Sequence, residues 1–363
     1  MASKVQHRKD AGYSLVLEIE GVSIPWQNIS GIIVRESVFD LLPRMKVEFS
    51  DLGMLSSKSP VAPGQTIKAV FISEKGQTGG VEWKFRIMSV TTETTDPMLP
   101  SASHVVLDTL LDVQQMYGVL TSRTFGKSKF SDVVEQVAND CGLKADVRAK
   151  SNDAMVWGCF NTRLTEFLKD SVAHSYISEK TLPVLFATKD GSLVYDSTER
   201  AIKSNSKVKL SYDATGSVMQ SENKSVLNWS TWSRLDLSEL MGKFGGGDGL
   251  AVYWYDEKPE KVDLGTEITD KMVFGRRSLN VHKNYMTAYA KNRLMKNSLF
   301  GTCMTFVSGL YGLKPMDRVE ISIPEDVEKG NSQALSGEYL VFRVLTVFGR
   351  DAKQEIVCAT KIG

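Results

Sequence analysis

Val81-Glu82-Trp83-Lys84-Phe85-Arg86-Ile87 alternates without a break, apolar at the odd positions and charged at the even ones. Successive side chains of a β-strand point to opposite faces, so this stretch reads as a strand with one buried and one wet face. The same period extends outward. Ile67, Ala69 and Phe71 come after the turn residues Pro63 and Gly64, and Met45, Val47 and Phe49 are set against Lys46, Glu48 and Ser50. Leu15, Leu17 and Ile19 alternate with Val16, Glu18 and Glu20, where Val16 alone breaks the pattern. With the β-rich run His104 to Val113, about six strands fall in the first 115 residues, the density of a closed barrel or sandwich. Residues 1–115 therefore read as a first β domain.

Beyond it the period becomes helical. Val133, Val134, Val137 and Cys141 share one face, with Ser131 or Asp132 as the expected N-cap and Gly142 as the stop. After an extended piece around Val156 to Phe160, a second helix carries Leu164, Phe167, Leu168 and Val172 on its apolar stripe, with Thr162 as its expected cap. Phe167 and Leu168 lie centrally on that stripe and should anchor it. Pro183 to Phe186 and Ser192 to Tyr195 form a hairpin around Lys189-Asp190-Gly191. Residues 116–203 thus make a small α+β unit.

Residues 204–290 form a linking region that contributes strands, such as Val208 to Tyr212 and Ala251 to Tyr255, to the C-terminal part of the chain. Gly216 to Lys224 reads as a surface loop, and Tyr285 to Leu299 as a helix. Residues 291–363 return to alternation at Val319, Ile321 and Ile323, at Tyr339 to Phe348, and at Glu355 to Ile362, and read as a second β domain. The two β regions share no residue-level repeat.

Composition fits this picture. Of 363 residues, 42% are apolar and 24% charged, an ordinary globular balance for a chain long enough to build more than one core. Lys plus Arg number 44 against 43 Asp plus Glu, so no field of one sign draws the whole molecule onto nucleic acid or membrane. The first ten residues are polar and unlike a secretory leader, which implies synthesis in the cytoplasm, and no apolar run is long enough for membrane insertion.

Cys141, Cys159, Cys303 and Cys358 are widely spaced, with no C-x-x-C pair and no zinc-ligand histidine nearby, and read as buried thiols. His7, His104, His174 and His282 have no sequence-adjacent catalytic partner, and neither a G-x-S-x-G elbow nor an H-E-x-x-H helix is present. Gly245-Gly246-Gly247-Asp248-Gly249 lacks the Lys-Ser/Thr of a phosphate-binding loop and reads as a flexible connection. Glu18 and Glu20 are solvated strand carboxylates and not a glycosidase pair. Lys271, Arg276, Arg277, Lys283, Lys291 and Arg293, with Phe274 and Tyr285 among them, form the densest basic stretch. A solvated face or a protein contact accounts for it more simply than nucleic acid. No catalytic, cofactor-binding or metal site is assigned, and an enzyme is not expected.

Three ordered segments carry a resemblance: Phe130-Ser-Asp-Val-Val-Glu-Gln-Val-Ala-Asn-Asp-Cys-Gly-Leu143, Leu164-Thr-Glu-Phe-Leu-Lys-Asp170 and Asp190-Gly-Ser-Leu-Val-Tyr195. At the C-terminal end stand Gly312-Leu-Lys-Pro-Met-Asp317, Val319 to Ile323, Leu335-Ser-Gly-Glu-Tyr-Leu340 and Ile356 to Thr360. In this order they resemble the baseplate central hub proteins of contractile-tailed phages, the family of late control D proteins and the hub portion of VgrG spikes. The likeness covers about residues 13–200 and 290–363.

The resemblance implies a β-rich α+β fold, with two tail-tube-like β-barrel domains and a small α+β insert. It implies a homotrimer whose pseudo-sixfold ring joins the tail tube protein to the central spike protein, beside other baseplate proteins, in the virion tail. DNA would pass through the lumen without specific binding, and the basic stretch would face outward or into a protein contact. VgrG chains continue into a further barrel and needle, whereas this sequence stops at Gly363, so the spike is expected to be a separate chain. A tail-associated cell-wall hydrolase and a glycan-binding tail module are the alternatives, and neither has a motif here.

Overall fold

The computed structural model describes residues 13–51, 61–73, 81–94, 103–178, 181–204, 208–212, 225–233, 250–253, 259–262, 273–274, 302–308, 312–324, 335–349 and 353–362, with Asn292, Met295, Lys296 and Leu299. The alternating stretches become strands: β1 (Tyr13–Ile19), β2 (Val22–Ile24), β3 (Ile29–Ser37), β4 (Arg44–Asp51), β5 (Thr66–Ser73), β6 (Val81–Thr94) and β7 (Ser103–Leu111). Leu17, Ile19, Met45, Val47, Phe49, Ile67, Ala69, Trp83, Phe85 and Ile87 are all buried, as their period requires. Glu20 is not part of β1. With Gly21 it forms the turn into β2, at φ 46° and 79°, and its carboxylate accepts the Thr66 N–H.

Next come α1 (Gln114–Tyr117), β8 (Thr121–Ser128), α2 (Phe130–Asp140), β9 (Lys144–Val147), β10 (Met155–Thr162), α3 (Leu164–His174), β11 (Pro183–Ala187), β12 (Ser192–Ser197) and α4 (Thr198–Lys203). Both one-sided helices pack as their stripes require. Val133, Val134, Val137 and Leu168 are completely buried, and Phe167 stacks on Phe125 at 5.5 Å. Val172 is only partly buried at the margin.

Neither helix is capped as its sequence suggests. Ser131 lies inside α2, whose N-cap is Lys129. The first N–H groups are instead met from 20 or more residues away, Phe130 N–H by Asp153 Oδ1 at 2.9 Å and Ser131 N–H by Ser151 Oγ at 3.0 Å. The other Asp153 oxygen accepts from Ser175 Oγ and the Tyr176 N–H, both at 2.9 Å, so one buried carboxylate ties the start of α2 to the end of α3. In α3 the N-cap is Arg163, and Thr162, one residue earlier, donates to Glu166. Gly142 does end α2, at φ 70°, with Leu143 N–H closing onto the Ala138 carbonyl.

The remaining strands are β13 (Val208–Tyr212), β14 (Ser225–Ser233), β15 (Leu250–Tyr253), β16 (Pro259–Val262), β17 (Val273–Phe274), β18 (Thr302–Ser308), β19 (Arg318–Ser322), β20 (Gly337–Gly349) and β21 (Lys353–Lys361). Of the helix expected over 285–299, the four described residues from Asn292 to Leu299 are helical. The loop expected at 216–224 lies outside the described residues. The turn before β19 is built by Pro315, with Met316 at φ 72° and Lys314 N–H donating to the Asp317 carboxylate. Tyr339 sits on the buried face of β20.

The two β regions share one 13-stranded sheet, in the order β19-β13-β14-β18-β21-β20-β3-β4-β7-β6-β5-β1-β2. A further β19–β20 pairing closes the six strands from β19 to β20 into a ring. The half from β3 to β2 is curled, and among the described residues β2 pairs only with β1. The halves meet where β20 lies antiparallel to β3, from Arg343 opposite Ser37 to Gly349 opposite Gly31. This seam is the architectural centre of the chain. An apolar core runs from the first β region into the insert helices, and a second fills the β13–β21 ring.

Candidate assembly surfaces

The insert is fastened to the seam by its hairpin turn. Thr188-Lys189-Asp190-Gly191 closes with Gly191 N–H donating to the Thr188 carbonyl, and Gly191 takes φ 77°. That geometry drives Lys189 inward. Its Nζ lies 2.7 Å from Glu36 Oε2, its N–H donates to Glu36 Oε1 at 2.8 Å, and its ammonium sits over the Trp83 ring at 5.3 Å. Glu36 belongs to β3 and stands opposite Val344 of β20 in the seam register. Alongside, Ala187 N–H donates to the Leu41 carbonyl, and Lys314 Nζ meets Asp190 Oδ2 at 2.7 Å.

A second buried carboxylate faces this pair. Glu355 of β21 accepts the N–H groups of Gly312 and Leu313 at 3.1 and 3.3 Å. Burial pushes its pKa up to about 7, against the lowering effect of Lys189 and those two N–H groups. Burial opposes the charged form of Lys189, yet Glu36, Glu355 and Asp190 hold its pKa above the usual lysine value. Burial also raises Asp190, but Lys314 and Lys189 outweigh it and bring that carboxyl below its ordinary range.

The outer side of the insert is different. β8 and β10 pair as a two-stranded sheet whose inner side carries Phe125 and Trp157. Outward it shows Val156 and Phe160, 55% and 69% exposed, with Val119 and Leu120 just before β8 at 59% each. Two of these side chains lie on the sheet and two just ahead of it, and all four leave large apolar groups to solvent. Gly158 makes room for Phe160, since a Cβ there would lie 2.3 Å from its ring.

The remaining sequence candidates take structural places. His174 is buried in α3 with Nδ1 at 2.8 Å from the Asp170 carbonyl, and His104 lies in β7 opposite Ser50. Glu18 faces Lys68 across the β1–β5 pair. His7, His282, Gly245–Gly249 and the basic residues from Lys271 to Arg293 lie outside the described residues, and of that stretch Phe274 is described in β17 and Asn292 in the helix. Among the described residues no group of three or more His, Cys, Asp and Glu is arranged to hold a metal ion, and no helix is long and apolar enough to cross a membrane. Sequence reasoning missed Lys189, Glu36 and Glu355, because a lone lysine in an Asp-Gly turn and glutamates within strands carry no mark of burial.

All four cysteines are buried thiols outside any disulfide, and burial raises the Cys141 thiol to about 11. Thiol titration should therefore give four reactive groups per chain after denaturation without reductant, and slow reaction in the native state. Fewer than four would reveal a disulfide or a modified thiol.

No protein-family model matches the chain, and no curated protein matches its sequence. Solved structures do share its fold. A tail protein from Neisseria meningitidis superposes with a TM-score of 0.61 at 12% identity, covering 97% of this chain and 97% of its own. The 43 kDa tail protein of prophage MuSo2 from Shewanella oneidensis gives 0.63 at 10% identity, over 96% and 98%. An E. coli component of the type VI secretion system, with structural similarity to the T4 bacteriophage tail proteins gp27 and gp5, gives 0.53 at 11% identity, over 96% of this chain and 77% of its own. The chain thus has the mostly β-sheet fold of phage tail proteins, which is consistent with the resemblance to hub-type proteins.

Proposed function

We propose that this chain is a structural subunit of the baseplate hub in a contractile phage-type tail. Three copies form a pseudo-sixfold ring that joins the tail tube to a central spike, contacts other baseplate proteins and lets DNA pass without binding it specifically. The observation that carries this reading is the continuous sheet. One chain supplies two β regions locked edge to edge at the β20–β3 seam, in a fold shared with tail proteins over nearly the full length of both chains.

In this reading residues 1–115 are one tail-tube-like barrel unit, 116–203 the α+β insert, and 291–363 with strands from 204–290 the second. Three copies present six barrel units to a sixfold tube and three inserts to threefold partners, which is symmetry adaptation without chemistry. A closed ring also covers strand edges that would otherwise recruit other chains. The exposed Val119, Leu120, Val156 and Phe160 lie on the insert, where neighbouring proteins would dock. The protein acts in the virion tail after synthesis in the host cytoplasm, and the Lys271–Arg293 cluster faces away from the channel.

Native mass spectrometry of the purified chain tests the assembly, with the three-chain mass as the expected species. A stable dimer, or a monomer at all concentrations, would count against it. The enzymatic alternative predicts a cleared zone on host peptidoglycan in a zymogram, and the scaffold reading predicts none.

A further inference from the structure

On another side of the insert, α3, β11 and the residues that follow β3 enclose a pocket of about 220 Å³. Its floor is apolar, since Leu182, Val184 and Leu185 are each no more than 5% exposed. Phe39 forms one wall and is held by Phe342, edge to face with ring centroids 5.5 Å apart. Helical spacing brings the polar groups to the same opening. Lys169 and Ala173 lie one turn apart on α3, and Asn292 and Lys296 lie one turn apart on the helical residues between β17 and β18. Asn292 is 7% exposed, and its Nδ2 donates to the carbonyls of Ala173 and Ser175 at 3.1 and 2.8 Å. Its Oδ1 is left as an acceptor that meets no donor among the described residues. Lys296 holds its ammonium 4.8 Å from the centroid of the Phe39 ring. Lys169 and Lys296 are exposed, and neither stands in an ion pair among the described residues. Asp40, whose charge acts on Lys296, is itself paired with Arg35 at 2.7 Å.

Size narrows what can fill this space. An apolar cavity of roughly 150 Å³ takes up benzene, whereas drug-sized ligands need about 300–1,000 Å³. A pocket of 220 Å³ suits one large side chain. Charge narrows it further, because the lining offers two ammonium groups and no carboxylate.

We propose that this pocket docks a partner protein through a large apolar side chain with a carboxylate beside it. The side chain covers the apolar floor, Asn292 Oδ1 accepts a backbone N–H of the partner, and the carboxylate meets Lys169 and Lys296. All of these groups lie within one chain, so binding here and ring formation are measured, and fail, separately.

N-acetyl-L-phenylalanine carries the ring, the N–H and the carboxylate, and N-acetyl-L-phenylalaninamide lacks only the charge. Saturation-transfer NMR on the full chain should give the acid a Kd on the order of 1 mM. The amide should bind about fivefold more weakly. In the double variant Lys169→Gln with Lys296→Gln, the acid should bind no better than the amide binds wild type. Both lysines are exposed, so the variant keeps its fold, and the comparison of acid with amide on wild type decides even without it. Equal binding of acid and amide, an unchanged constant in the double variant, or no saturation by about 10 mM would overturn the proposal. Decanoate supplies the charge and an apolar chain without an N–H. If it binds more tightly than the acetylated amino acid, the site is one for a small apolar acid and the docking of a protein segment is refuted.

Discussion

Replacing Lys189 by methionine should destabilise the fold by about 3–5 kcal/mol, because it leaves the Glu36 carboxylate buried without a counter-charge. Methionine preserves the length and apolar character of the stem, so the loss reports the missing charge and not a cavity. Glu36 is 1% exposed, so it has no access to solvent in compensation. The double variant Glu36→Leu with Lys189→Met separates the cost of an orphaned charge from the worth of the pair. Buried pairs replaced together by apolar residues are often neutral, so the double variant should recover most of the loss. Chemical denaturation at pH 7 measures both. A Lys189→Met variant as stable as wild type would mean that the hairpin turn is not seated on Glu36.

Truncating Phe167 to alanine should cost about 3–5 kcal/mol, and Leu168 to alanine about 2–5 kcal/mol. Leu168 is fully buried, and Phe167, 6% exposed, stacks on Phe125 with ring planes 10° apart. The Phe167 change removes both the area and the ring partner of β8, so it should also loosen the β8–β10 sheet. Equilibrium unfolding gives the magnitude. Wild-type stability in either variant would mean that α3 packs through another face.

How far the sequence discloses this structure depends on how local each determinant is. The period-two stretches at Met45–Phe49 and Val81–Ile87 are strands because alternation is fixed by the residues themselves, and the α2 and α3 stripes are legible for the same reason. Caps are not, since the donors of α2 are met by Asp153 and Ser151, more than a turn of sequence away. β3 has no clean local signature because Ile32, Ile33 and Val34 run together across a bulged strand paired on both edges. β14 has none either, as Ser225–Ser233 is nearly half serine and threonine and owes its place to β18. The seam pairs residues 31–37 with 343–349, a register no local pattern encodes. Charge burial at Lys189 is likewise a product of tertiary position. The hub resemblance implies two β regions around an α+β insert, but nothing in it announces that both β regions share one sheet, which only the strand pairing reveals.

The central claim is a threefold ring, and the most direct test is a cryo-electron microscopy reconstruction of the intact particle viewed down the tail axis. The account predicts a hub layer of three copies, with two β units from each chain alternating around a channel and the three inserts at its outer rim. A layer containing any other number of copies, or inserts lining the channel, would contradict it.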